Sequence, residues 1–158
     1  MDKVYWEDLV PGSVRQLGTV TPTREEIMAF AEKFDPQPFH LSEEGGKASL
    51  FGGLCASGWH TCSMAMGLMV RNFLLNSSSL GSPGMESVTW LKPVRPGDTL
   101  RLEHEILESR PSKSKPDVGL TRTVWRMYNQ HDEQVLHMQG TSMFRRRHPA
   151  TNHPTPAS

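Results

Sequence analysis

Ser57-Gly58-Trp59-His60-Thr61-Cys62-Ser63-Met64-Ala65-Met66-Gly67-Leu68-Met69-Val70 lies in the longest uncharged run of the chain, Ala48 to Val70 with His60 neutral. Its apolar residues (Trp59, Met64, Ala65, Leu68 and Met69, continued by Phe73 and Leu74) surround much of a helix circumference. A helix apolar nearly all round is buried on nearly all sides. The pattern predicts a central helix from Trp59 to Asn76, with Ser57 as its N-cap. The length of the run invites a transmembrane reading. Gly52-Gly53 interrupts it, and Gly58, Gly67, Thr61, Ser63 and His60 dilute its second half. The segment therefore reads as the buried helix of a soluble fold with no membrane partner.

Upstream, Thr23 and Glu26 form a capping-box signature before the amphipathic stripe Ile27, Met28, Phe30, Ala31 and Phe34. That helix must stop before Pro36, because a residue preceding proline is pushed out of the α region. Asp35 to Phe51 is then a long connection. Pro36 and Pro38 keep its first part from being helix, and Ser42 to Lys47 can form a short helical turn. Long connections inside compact domains are usually functional. Val14 to Thr21 reads as an edge strand.

Downstream, Asn76 to Ser79 and Gly81-Ser82-Pro83-Gly84 read as a flexible loop ending the helix. Glu86 to Lys92, Thr99 to Ser109, Gly119 to Asn129 and Gln134 to Phe144 read as strands. They are separated by the Pro93–Asp98 turn, the basic loop Arg110–Asp117 and the turn at 130–133. Strands joined by short turns imply an antiparallel sheet. The expected fold class is α+β, one domain over 1–147 with the sheet wrapped around the long helix, followed by a disordered tail over 148–158. A wrapped sheet leaves exposed edges, for which pairing of copies is the natural remedy, so a homodimer or higher homo-oligomer is expected.

The 158 residues balance 17 Lys plus Arg against 17 Asp plus Glu, so charge argues for no nucleic-acid partner. The first residues carry no apolar h-region of a signal peptide. Cys55 and Cys62 sit in the uncharged run and read as reduced core residues of a cytoplasmic protein. No spacing of His, Cys and carboxylates suggests a metal. Gly53 to Gly58 has the outer spacing of a phosphate loop, but Trp59-His60 stands where Lys-Ser/Thr is required. Lys113, Lys115 and Arg110 read as a solvated loop rather than a phosphate site. The cluster Met64, Met66 and Met69 reads as core rather than an acyl tunnel. His60, His104 and His137 read as structural.

Chemistry concentrates in Phe34-Asp35-Pro36-Gln37-Pro38-Phe39-His40, with Ser57-Gly58 further along the chain. Asp35 and His40 supply a carboxylate and an imidazole able to share one water. Gly58, at a helix N-terminus, has a free N–H and no side chain to obstruct an incoming oxygen.

These segments, with Phe51-Gly52-Gly53 and Ala56-Ser57-Gly58, resemble the hydratase motif of the MaoC-like dehydratases, the (R)-specific enoyl-CoA hydratases. Val88 to Val94 and Pro96-Gly97-Asp98 resemble the next strand pair in that family, and the likeness covers about Asp8 to Phe144. It implies a hotdog fold, usually dimeric. It implies an enoyl thioester hydratase or dehydratase acting on acyl-CoA or an acyl carrier, with no cofactor beyond the coenzyme A of the substrate. By the resemblance Asp35 is the general base toward water and His40 assists proton transfer at the α-carbon. The Gly58 N–H holds the thioester oxygen, and Gln37, Ser57, Phe51 and Met66 contribute to substrate binding. Gln37 stands where the family often has Asn, Phe39 replaces an aliphatic residue, and Met66 stands where some relatives carry a polar residue. The alternatives are a hotdog acyl-CoA thioesterase, which the absence of Asp or Glu between Ser57 and Asn76 disfavours, and a non-catalytic acyl-thioester binder.

Overall fold

The computed structural model describes residues 2–150. Helix α1 (Arg24–Phe34) starts on the predicted capping box. Thr23 Oγ1 accepts the Glu26 N–H at 3.1 Å, and Glu26 Oε1 accepts the Thr23 N–H at 3.0 Å. Two short helices, α2 (Pro38–Leu41) and α3 (Glu43–Lys47), lead to α4 (Gly58–Asn72). Strands β1 (Val14–Val20), β2 (Ser79–Trp90), β3 (Leu100–Pro111), β4 (Val118–Tyr128) and β5 (Gln134–Arg145) form one antiparallel sheet in the order β1-β3-β4-β5-β2. The core lies between α4 and the concave face of the sheet. Met69 and Ala65 meet Leu100, Leu102, Ile106, Met127 and Leu136 there, all 1% exposed or less. This is the hotdog arrangement that the resemblance implies.

On β3, Leu100, Leu102, His104 and Ile106 are buried, as their alternation predicts. Glu108 escapes the same parity because the register against β4 shifts between Ile106 and Glu108, and a bulge turns the next side chains over.

Several expectations are corrected. Residues 79–84 are not a loop but the start of β2. Gly81 and Gly84 have φ of 95° and 151°, and the register with β5 shifts on either side of them. An edge strand tolerates such glycines and a proline because its outer N–H row is unpaired. The Pro93–Asp98 turn does not join a hairpin. It carries the chain from β2, at one edge of the sheet, to β3, beside the other edge. Helix α4 ends at Asn72 and passes through a 3-10 turn, Leu74–Asn76. Nor is it covered on all sides, since Trp59 is 58% and Met66 43% exposed. In the expected tail, the His148 N–H donates to Glu7 and the Ala150 N–H to Pro116 O at 2.9 Å, and residues 151–158 lie outside the described residues. Among the described residues, no helix is long and apolar enough to cross a membrane.

Candidate active site

Helix α1 closes at Asp35, whose N–H still donates to Ala31 O at 2.8 Å while its backbone leaves the helical region. Pro36 enforces that exit. Pro38 then sits at the first position of α2, where its fixed φ suits a helix and its missing N–H costs nothing. The prolines thus restart the helix, contrary to the expectation that they exclude it, and the turn brings His40 back over Asp35.

His40 is buried, and its Nδ1 lies 2.6 Å from Cys55 O. A carbonyl only accepts, so Nδ1 carries a proton, and Nε2 is the ring nitrogen turned toward the carboxylate. Nε2 lies 3.3 Å from Asp35 Oδ2. The carboxylate is held from two further sides. Gln37 Nε2 donates to Oδ1 at 2.7 Å and Ser57 Oγ to Oδ2 at 2.7 Å. Partial burial raises the Asp35 carboxyl, but the hydrogen bonds from Gln37 and Ser57 and the neighbouring His40 outweigh it, leaving the group below its ordinary pKa. Asp35 is therefore an ionised carboxylate. Ser57, expected to cap α4, makes no side-chain cap bond because its hydroxyl is committed to Asp35.

A cavity of about 460 Å³ opens over the pair and includes Gln37, Phe51, Gly58 and Trp90. The Gly58 N–H makes no hydrogen bond among the described residues and stands at the α4 N-terminus, where the helix dipole favours negative charge. The structure also gives this glycine a packing reason. A Cβ there would lie 2.4 Å from the Trp90 ring, whose Nε1 donates to Gly58 O at 2.8 Å. Phe51 packs on Phe39 with ring centroids 5.1 Å apart. Met66 is not in this group; it lines a second cavity further along α4.

Sequence reasoning missed three residues. Trp90 is one, although its place on a strand flanking the glycine's helix offered a weak signal. Cys55 is the second; it acts through its carbonyl, which no side-chain pattern reveals. Arg95 is the third. Its guanidinium donates to the carbonyls of Phe51, Gly53 (2.8 Å) and Leu54 (3.3 Å), fixing the strand of chain that leads to Cys55. The basic loop residue Arg110 lines a separate cavity with Glu86 and Glu108. Among the described residues, no group of three or more His, Cys, Asp or Glu could hold a metal ion.

The MaoC like domain family matches residues 9–138. A MaoC-like dehydratase from Rhodospirillum rubrum is 38% identical, with 92% of this chain and 99% of that one covered and a TM-score of 0.85. YdeM, an uncharacterized protein of Bacillus subtilis (strain 168), is 28% identical over 130 residues, 82% of this chain and 91% of its own length. An unliganded (R)-hydratase of Pseudomonas aeruginosa shares the fold at 19% identity, with coverage of 99% and 97% and a TM-score of 0.73.

Proposed function

The chain belongs to the MaoC-like domain family, and from that premise we propose that it adds water to, or removes it from, the 2,3 bond of an enoyl thioester carried on coenzyme A or an acyl carrier. The observation that carries this reading is the fixed orientation of His40, with Nδ1 held on Cys55 O and Nε2 3.3 Å from an ionised Asp35. In the proposed catalytic cycle, Nε2 in its unprotonated form and the carboxylate are two acceptors side by side, suited to a water that donates one hydrogen to each and turns a lone pair toward C3 of the enoyl group. As the C3–O bond forms, Nε2 takes one proton from the water. Asp35 stabilises the resulting imidazolium, and electron density moves to the thioester oxygen, which the Gly58 N–H and the helix N-terminus receive. The imidazolium then returns the proton to C2, so one water has been added; dehydration is the reverse. Gln37 and Ser57 make Asp35 a weak base, which favours His40 as the proton carrier and Asp35 as the orienting charge.

The same reading includes a homodimer. Strand β2 is an open edge, and Trp59, Met66, Met85 and Trp90 are all more than 40% exposed. An edge of this kind beside apolar side chains invites a second copy.

The test is hydration of trans-2-butenoyl-CoA and longer trans-2-enoyl-CoA thioesters, monitored as loss of the conjugated enoyl absorbance. Wild type should turn over, and Asp35→Asn and His40→Ala should each lose about 10²-fold or more in kcat/KM. Full activity in both variants, or no turnover of any enoyl thioester by wild type, removes the assignment. Release of free thiol without hydration would favour a thioesterase.

A further inference from the structure

The segment from Phe51 to Ala56 carries the carbonyl that orients His40, yet no helix or strand holds it. Among the described residues, no backbone N–H donates to the carbonyls of Phe51, Gly53 or Leu54. Main-chain carbonyls withdrawn from water need a donor. One side chain serves all three. Arg95 donates from Nη1 to Gly53 O at 2.8 Å and to Leu54 O at 3.3 Å, and from Nη2 to Phe51 O. A guanidinium can do this because its N–H groups form a rigid planar fork.

The fork is itself anchored. The Arg95 N–H donates to Asp98 Oδ2 at 2.8 Å, and Asp98 Oδ1 accepts from Gln130 Nε2 at 2.9 Å. The preceding carbonyl, Val94 O, accepts the Ala56 N–H at 2.9 Å. Glu43 grips the same segment with the opposite polarity. Its Oε2 accepts the Leu54 N–H at 3.4 Å, while Oε1 pairs with Arg24 Nη2 at 3.2 Å. Both side chains close on Gly53, where an added Cβ would lie 3.2 Å from Arg95 Nη1 and 3.8 Å from Glu43 Oε2. Arg95, Glu43 and Arg24 line a cavity of about 360 Å³ that shares no lining residue with the catalytic cavity.

We propose that Arg95 is a positioning residue for the hydration step: by holding the carbonyls of Gly53 and Leu54 it sets the Cys55 carbonyl against His40 Nδ1, and so sets how His40 faces Asp35. This rests on the hydratase reading above and adds to it a residue outside the catalytic cavity. Cys55 O is the next carbonyl after the two that Nη1 holds, and it lies 2.6 Å from Nδ1. With Nδ1 fixed there, Nε2 is 3.3 Å from Asp35 Oδ2. The partner of one ring nitrogen decides what the other can do. A misplacement of about 1 Å caused from outside the reacting groups can cost about 10²-fold in rate. The same guanidinium holds Phe51 O, and the Phe51 ring lines the catalytic cavity against Phe39. The proton carrier and one wall of the cavity therefore share a single support.

The experiment measures hydration of trans-2-butenoyl-CoA, per folded chain, by wild type, Arg95→Ala and Arg95→Lys. Thr23→Ala, which weakens α1 at its far end, is the control for lost stability. Proton NMR of protein carrying isotope-labelled histidine reads the His40 Nδ1–H, assigned by its absence in His40→Gln. In both Arg95 variants that resonance should move away from its hydrogen-bonded position, and kcat should fall about 10- to 100-fold. Lysine keeps the charge but cannot serve three carbonyls at once, so it should not restore kcat. Thr23→Ala should leave the resonance in place and kcat within about twofold of wild type. An unmoved resonance in the Arg95 variants, a kcat within about twofold of wild type, or a loss confined to KM overturns the proposal. A moved resonance in Thr23→Ala overturns it too, because destabilisation alone would then explain the effect. Arg95→Lys carries the test if Arg95→Ala does not fold. If wild type hydrates no enoyl thioester, the reaction assignment fails and the NMR comparison alone decides: a His40 resonance that Arg95→Lys leaves unmoved overturns the positioning role.

Discussion

Ser57 commits its hydroxyl to Asp35 rather than to the helix it precedes, and that choice has a measurable consequence. In Ser57→Ala the carboxylate keeps Gln37 and His40 but loses one donor, so its pKa should rise toward the ordinary carboxylate value. A carboxyl-carbon NMR titration of Asp35 reads this directly, and an unchanged midpoint would refute it. A depressed carboxyl contributes stability above its unfolded pKa and loses it as pH falls through the folded one, so Ser57→Ala should lose less on acidification. His104 also loses stability on acidification, but through the opposite charge change. Its folded pKa of about 4 lies below the unfolded value near 6.5, so the unfolded chain takes the proton first. Stability should therefore fall as pH drops from about 6.5 to about 4, by on the order of 3 kcal/mol from this group. Urea unfolding at pH 7 and pH 4.5 should show a smaller difference in His104→Leu than in wild type.

At the scale of elements, the start of α1 was legible because a capping box is a local code: Thr23→Ala should cost about 1 kcal/mol in urea unfolding. The start of α4 was legible only in part. Gly58 stands out in the sequence, but its packing reason lies 32 residues away in Trp90, whose ring occupies the space of a Cβ. Gly58→Ala should therefore destabilise the fold by about 1–3 kcal/mol as Trp90 is displaced. Adding Trp90→Leu should recover part of that loss, which a purely functional glycine would not do. The α2 turn and the opening of β2 were illegible for one reason. Proline and glycine look like breakers in isolation, whereas position decides their effect: Pro38 starts a turn of helix, and Gly81 and Gly84 sit at bulges of an edge strand. His40 and Asp35 were legible as chemistry. Their mutual orientation was not, because it depends on a backbone carbonyl, Cys55, held through the Arg95 clamp.

For the whole molecule, the open β2 edge and the exposed Trp59 and Met66 face are where the proposed homodimer would form. Sedimentation at micromolar concentration should give twice the chain mass. Met85→Lys, which would place like charges near a two-fold axis, should shift the protein toward monomer; a monomeric wild type would remove this expectation. The antiparallel class was legible from alternation, but the strand order was not, because neighbouring strands in sequence need not be neighbours in the sheet. That order also matters while the chain is being made. Strand β5 fills the gap between β4 and β2, pairing Trp90 with Leu136 and Ser79 with Phe144. Until residues 134–145 have left the ribosome, β2 has no partner and α4 lacks part of its floor. The sheet therefore cannot close before β5 has emerged, and a product stalled or cut ahead of it would expose the apolar helix face to chaperones and proteases.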